Sequence, residues 1–377
     1  MDRNILRRVI FAVWSGLSIV MASLILGGLF RGGRSPFLPA AQKEREAFIS
    51  GMLPGTQFTL FPAQLWDRAL GRRYFPEVTA YRSGSGQYLF TSGPQKPELA
   101  LRHTEELYRY CGESGRDFLY VILPGKPEYD EDLTDLGLPC YRNRTADGMR
   151  EVLEERGIPC LDLRESFRGP DFYSYFYRTE HHWTADGGLK AAREILTALR
   201  GRYGTGYPVE RLSEEKIGRE VVPDCFNGEF GKKTFGAVGP REDLIIRRPL
   251  YETHLSLNDP GHGINRSGGF EILTNESLLS SGHPERLNLY YYYLFGLSAV
   301  QEIRNEDVDT GDLFVIRESF SNVMLPFLAL GANHVTAWDM RGDSRVYDYL
   351  EAHPEIRTVV IAYTIASMPN STLNNFH

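Results

Sequence analysis

Residues 313–338 read LFVIRESFSNVMLPFLALGANHVTAW, and the fold turns on this stretch. It opens with four apolar residues, Leu313 to Ile316. A short, uninterrupted apolar run of this kind is a strand buried on both faces of a parallel sheet. Residues 322–330 then read as a helix, and residues 335–338 as a second buried strand. Such strand–helix–strand units imply a parallel sheet covered by helices on both faces.

The same alternation extends outward in both directions. FLYVIL at 118–123 is another apolar strand, stopped by Pro124-Gly125. Helices are expected at 98–115, 146–156, 185–199 and 344–352. Further strands are expected at 160–163 and 358–363, and a short β-like run at 87–91. Residues 203–312 are rich in Gly, Pro and Asn and read as an irregular insertion. No internal repeat or low-complexity tract appears.

In an open parallel sheet, ligands bind beyond the C-terminal ends of the strands. Arg317-Glu318-Ser319-Phe320-Ser321-Asn322 lies there, between the strand at 313–316 and the helix that follows. Two readings fit Ser319, Ser321 and Asn322. They are helix caps, or Ser319 is a nucleophile on a strand-to-helix turn whose amides face a developing oxyanion. No GxSxG elbow occurs.

A second stretch, Tyr177-Arg-Thr-Glu-His-His-Trp-Thr-Ala-Asp-Gly187, carries a carboxylate, two adjacent histidines and a tryptophan ahead of a helix start, with Thr184 in the cap position. In an extended segment Glu180 and His182 point to the same side and His181 points away. The stretch is either a helix-entry loop with surface histidines or an acid–base pair, since a carboxylate beside an imidazole fixes its tautomer. A metal site would need Asp186 as well as Glu180, and the spacing matches no HExxH pattern, so no metal or other cofactor is expected. Together the two stretches compose a Ser–His–Glu triad. Ser319 attacks, His182 takes its proton and Glu180 orients His182.

The charge is uneven along the chain. Its 42 Lys and Arg against 49 Asp and Glu give a net −7, which argues against a nucleic-acid partner. Yet the first 35 residues carry Arg3, Arg7, Arg8, Arg31 and Arg34 against Asp2 alone. Between these arginines, residues 9–30 read VIFAVWSGLSIVMASLILGGLF, 22 residues without a charge. At about 1.5 Å per residue that spans a bilayer core of roughly 30 Å. A cleaved signal peptide would have a shorter apolar run and a small-x-small site at its end. The expected organisation is a cytoplasmic tip and membrane anchor at 1–35, a juxtamembrane segment at 36–80 with helical pieces at 44–50 and 63–70, and one large domain at 81–377. That places a single-pass protein in the cell membrane with its N-terminus cytoplasmic and its domain outside. Four cysteines exclude a disulfide scaffold, and no CxxC supports zinc or redox chemistry. Cys140 and Cys160 are spaced so that they could bridge.

The Glu-His-His-Trp stretch before a helix resembles the DHHW proteins of Gram-positive bacteria. More distantly it resembles the alginate O-acetyltransferases of the AlgX/AlgJ type, which carry Asp-x-His-Trp and a later serine after a strand in a permuted SGNH-hydrolase-like domain. The stretch from Arg317 to Asn322, then Pro326-Phe327-Leu328 and Trp338-Asp339-Met-Arg341, is similar to their serine block. The turn from Leu123 to Lys126, the Phe235-Gly236 region and the run from Tyr290 to Gly296 are weaker points of likeness. The resemblance implies an SGNH-hydrolase-like, flavodoxin-like fold with Ser319 as nucleophile, His182 as base and Glu180 as acid, where the family normally has Asp. It also implies that the backbone N–H groups of Ser319 and Gly296 hold the oxyanion. Gly296, Ser298, Lys126, Arg341 and Trp183 are then the candidates for binding oxyanion and substrate. Tyr290 to Tyr293 either stack on sugar rings or belong to the core.

The implied activity is acyl transfer outside the membrane. A membrane-bound O-acyltransferase would supply the acetyl group, and a cell-surface or secreted polysaccharide would accept it. An esterase using the same triad, or a non-catalytic glycan-binding or scaffold protein, are the alternatives.

Overall fold

The computed structural model describes residues 74–75, 80–84, 86–90, 93–126, 133, 136–233, 241–281 and 287–377. The anchor expected at 9–30, most of the juxtamembrane segment at 36–80 and the Phe235-Gly236 region lie outside them. Among the described residues no helix is long and apolar enough to cross a membrane.

The first described elements are three short antiparallel strands, β1 (Tyr74–Phe75), β2 (Ala80–Arg82) and β3 (Tyr88–Phe90). Helix α1 (Glu98–Glu113) leads into strand β4 (Asp117–Leu123). Helix α2 (Tyr141–Glu155) begins five residues before the expected start and leads into β5 (Cys160–Asp162) and the short α3 (Leu163–Phe167). Helix α4 (Ala185–Tyr203) ends where Gly204 turns left-handed at φ +67° and its N–H reaches the Arg200 carbonyl at 3.0 Å, a backbone closure that glycine allows without strain.

The stretch expected to be irregular holds regular structure. Strands β6 (Ile217–Phe226) and β7 (Glu242–Pro249) pair antiparallel, with the short helix α5 (Glu229–Lys233) between them. They are followed by β8 (Leu255–Asp259), β9 (Ile264–Gly268) and β10 (Val300–Asn305). The final segment runs β11 (Asp312–Arg317), α6 (Ser321–Leu330), β12 (His334–Asp339), α7 (Val346–Ala352) and β13 (Thr358–Thr364).

Eight strands form the main sheet, in the order β5-β4-β13-β11-β12-β10-β8-β9. From β5 to β12 all neighbours are parallel, as the apolar runs require. From β12 outward they are antiparallel, so the wholly parallel sheet expected from sequence is corrected to a mostly parallel one with an antiparallel extension. The extension escaped notice because its outer strands carry no uninterrupted apolar run. INRSG in β9 is half-buried to exposed throughout and carries no apolar run.

Successive residues of the parallel strands feed two cores on opposite faces. Leu119, Val121 and Leu123 of β4, with Leu313 and Val315 of β11, pack toward α4 and α6. Phe118, Tyr120 and Ile122, with Phe314 and Ile316, pack toward α1, α2 and α7. Helix α6 is buried along all ten residues. It sits close on α4 because position 188 is glycine; a Cβ there would meet Val323 at 2.8 Å. This contact sets the Ser319 turn beside the histidine stretch. Of the two readings of Ser319, Ser321 and Asn322, capping is not what the start of α6 shows. Phe320 is the N-cap residue and no side chain caps the helix. Nor does the Thr184 side chain cap α4; its hydroxyl donates to the Tyr175 carbonyl. No disulfide joins Cys140 to Cys160.

Candidate active site

Phe176 and Trp183 form an antiparallel bridge that closes residues 178–182 into a turn. The turn is held by charge. Glu242, at the start of β7, accepts from the Arg178 and Thr179 amides at 2.6 and 2.7 Å and from the Thr179 hydroxyl at 2.6 Å. Lys126 donates its ammonium to the Arg178 carbonyl at 3.0 Å. Gly228 permits the close approach of the next loop, since a Cβ there would stand 2.2 Å from the Thr179 carbonyl oxygen.

The turn buries the Glu180 carboxylate and surrounds it with donors. Oε2 accepts from the Glu229 amide at 2.8 Å, and Oε1 from the His181 amide at 2.8 Å. Oε1 also lies 3.2 Å from His182 Nδ1 and 2.6 Å from His181 Nδ1. His181 therefore does not point away; in a turn rather than an extended segment both imidazoles reach one carboxylate, with ring centroids 3.7 Å apart. Burial raises the Glu180 carboxyl, but the bonds from His181 and His182 outweigh it and hold it well below the ordinary carboxylate range. It is ionised at neutral pH.

His182 is buried, and burial followed by the neighbouring His181 brings its pKa down to about 4 against the opposing pull of Glu180. It is neutral at pH 7. The ionised Glu180 fixes its proton on Nδ1 and leaves the Nε2 lone pair facing Ser319 Oγ at 2.8 Å. Ser319 is half-buried in the turn between β11 and α6. The structure thus brings Ser319, His182 and Glu180 into one hydrogen-bonded line, across 137 residues of sequence between serine and imidazole. The line suits proton transfer from a hydroxyl to a neutral base backed by a carboxylate.

The other candidates are placed as follows. Trp183 is fully buried, and its indole N–H donates to the Phe320 carbonyl at 2.8 Å. It braces the serine turn and offers no surface to a substrate. Lys126 is buried, unlike an exposed loop cation, and burial lowers its pKa to about 7. Arg341 is clamped on Asp339 at 2.6 and 2.8 Å. Gly296 lies at φ +111° beside the Tyr291 ring. Ser298 donates to the Val300 carbonyl at 3.3 Å, and its own carbonyl accepts from Arg317 at 3.0 Å, so its contacts lie beneath the site.

Two residues do more at the site than the sequence reading gave them. Tyr290 stacks on His182 with ring centroids 3.9 Å apart, and its hydroxyl donates to the Ser319 and Phe320 carbonyls at 3.0 and 3.2 Å. The tyrosine run gave a signal, but toward sugar stacking or core; Tyr290, Tyr292 and Tyr293 are buried. Glu318 is buried next to the serine, with Oε2 3.1 Å from Ser319 Oγ. Its position in the serine block was the only cue. Beside the triad, Phe90, Lys126, His181, Glu318 and Phe320 help line a cavity of about 300 Å³.

The ligand atoms of Glu180, His181 and His182 lie within 4.8 Å of one another, but Asp186, the further ligand the sequence offered, pairs with Arg247 at 2.5 Å and Arg219 at 3.1 Å.

Residues 89–247 match the family model of the SGNH hydrolase-like domain of acetyltransferase AlgX. That span contains Glu180 and His182 and stops short of Ser319. Among solved structures, PatB1 of Bacillus cereus, determined with a sulfonyl adduct, is similar at a TM-score of 0.63 and 16% identity, over 78% of this chain and 96% of that one. A DHHW family protein from Eubacterium siraeum is similar at a TM-score of 0.58 and 12% identity, over 77% of this chain and 92% of that one. No curated protein sequence matches the chain. These are the families the sequence resembles, and the fold is SGNH hydrolase-like.

Proposed function

We propose that this chain is a membrane-anchored, extracytoplasmic O-acyltransferase that passes an acetyl group to a polysaccharide hydroxyl through an acyl-serine. The observation that carries the reading is the contact of neutral His182 with Ser319 Oγ at 2.8 Å, backed by ionised Glu180. Its likeness to the AlgX-type acetyltransferase domain supports the choice of acyl group.

In the first half-reaction His182 Nε2 takes the Ser319 proton as Oγ attacks the acyl carbonyl. The tetrahedral oxyanion collapses, and the donor's leaving group departs with the proton from His182. In the second half a sugar hydroxyl gives its proton to His182 and attacks the ester. Ser319 Oγ leaves and recovers that proton. The Ser319 N–H serves the oxyanion in this reading. Residues 9–30 anchor the chain, residues 81–377 act outside, and a membrane-bound O-acyltransferase supplies the acetyl group.

Incubating the purified chain with p-nitrophenyl acetate tests the reading by intact mass. Wild type should gain one acetyl group on Ser319, and Ser319→Ala none. Added glycan acceptor should then carry the acetyl group away. Release of acetate alone, with no acetyl-glycan, favours an esterase. No adduct on folded protein leaves only a binding role.

A further inference from the structure

Ser319 Oγ carries one proton and has two acceptors in reach, His182 Nε2 at 2.8 Å and Glu318 Oε2 at 3.1 Å. His182 holds its own proton on Nδ1 against Glu180, so Nε2 only accepts. When the serine hydroxyl points at His182, the contact with Glu318 is a hydrogen bond only if Glu318 carries the proton. An ionised Glu318 would set lone pair against lone pair, or draw the serine proton away from the base.

The rest of the Glu318 environment favours the acid form. The side chain is buried, and Oε1 has no hydrogen-bond partner among the described residues. A buried carboxylate oxygen without a donor is costly, whereas the carbonyl oxygen of a neutral acid costs much less. The surrounding cations are committed elsewhere. Arg317 from β11 donates to Asn322 and Gln301, Arg341 beyond β12 is held by Asp339, and Lys126 beyond β4 is turned to the Arg178 carbonyl. His181 from the 178–182 turn is paired with Glu180, while Arg142 of α2 shares the cavity. Tyr290 and Tyr363 add only neutral hydroxyls at neutral pH. Burial raises the Glu318 carboxyl above its ordinary range, against smaller opposing pulls from the Ser319 hydrogen bond, Arg341, His181 and the Phe320 amide.

We propose that Glu318 is a further catalytic residue, working as an un-ionised carboxylic acid that donates to Ser319 Oγ, and that its ionisation turns the serine off by capturing the hydroxyl proton. The proposal rests on the acyl-serine reading and names what limits it at high pH. During attack the Ser319 proton moves to His182 Nε2 while the Glu318 proton stays on Oε2. Oγ sheds its proton without rotating away. When Oγ later departs from the ester, the same Glu318 O–H steadies the charge that returns to it until His182 gives back the proton. An ionised Glu318 at this place would instead set like charge against Oγ as it departs.

The test is the pH dependence of Ser319 labelling by phenylmethylsulfonyl fluoride in the full chain, read by intact mass. Wild type should show a rate that falls at least about tenfold on the alkaline side, as general acid–base contributions of this kind allow. Glu318→Gln keeps a donor and cannot ionise. It should be slower at its best pH but lose the alkaline decline. An unchanged alkaline limb overturns the proposal, and so does E318Q labelling no better than S319A, which would make Glu318 a base. Should E318Q fold poorly, infrared spectra of wild type decide: a protonated-carboxyl band should vanish with the midpoint of the labelling limb, and its absence overturns the proposal. Wild type that labels at no pH sinks the acyl-serine reading itself, a separate outcome.

Discussion

The His182 imidazole lies flat against the Tyr290 phenol, with planes 14° from parallel, while the hydroxyl of the same tyrosine donates to the Ser319 and Phe320 carbonyls. One side chain thus grips the base by its face and the serine turn by its tip. Tyr290→Phe keeps the stack and drops the bonds. It should slow acetyl-Ser319 formation by roughly tenfold, the worth of about one good hydrogen bond. Tyr290→Leu loses the stack too and should be slower again. Time-resolved intact mass with p-nitrophenyl acetate reads both, and a Y290F rate within about twofold of wild type contradicts the role.

Glu180→Gln tests orientation separately from packing. The amide fills the same volume but no longer fixes the His182 proton on Nδ1. Acylation should fall by about 10³-fold or more, in line with the cost of the wrong tautomer in such triads. Near-unchanged far-ultraviolet circular dichroism would show that the fold persists. A loss below about tenfold would mean that His182 is held by Tyr290 alone.

The His182 shift has a signed consequence for stability. A histidine near 4 when folded and about 6.5 when unfolded binds fewer protons in the native state between those values. Stability should therefore fall as pH drops through that window. Glu180, held low, adds a loss in the same direction at still lower pH. Urea unfolding at pH 7 and pH 5 measures it. In His182→Gln the difference between the two should shrink; an equal difference removes His182 as the cause.

Trp183→Ala should destabilise the fold by about 3–5 kcal/mol, the usual cost of emptying a buried aromatic site. It also removes one of the two donors to the Phe320 carbonyl, leaving the Tyr290 hydroxyl. Gly228→Ala acts on the other side of the turn, where a methyl group 2.2 Å from the Thr179 oxygen forces Glu180 to move. Its signature should be lost acylation with a smaller change in melting temperature. The opposite ranking of the two variants in a thermal melt would refute this assignment.

How much of this could be read from sequence depends on which forces leave a local mark. The parallel strands were legible because burial on both faces demands uninterrupted apolar runs, as in Leu313–Ile316. Strands β8 and β9 were not, since INRSG gains its place by backbone pairing that any side chain permits. Ser319, His182 and Glu180 announced themselves by residue type next to a strand end and a helix start. Lys126 follows a Pro-Gly turn and looks like an exposed cation; only the fold shows the Arg178 carbonyl over it. Trp183 belonged to a motif and looked functional, yet its use is to brace Phe320. Tyr290 sits 29 residues before Ser319, a separation no periodicity encodes.

The position of β13 makes the strand before Ser319 depend on one of the last segments of this sequence to be made. All three triad side chains have left the ribosome soon after residue 319, but β13 is the strand that joins β4 to β11. Without residues 358–364, β4 and β11 have no strand between them and each presents an open edge. The strand that aims Ser319 then lacks the neighbour on one side. Ser319 is thus made before the strand that completes the sheet beside its turn.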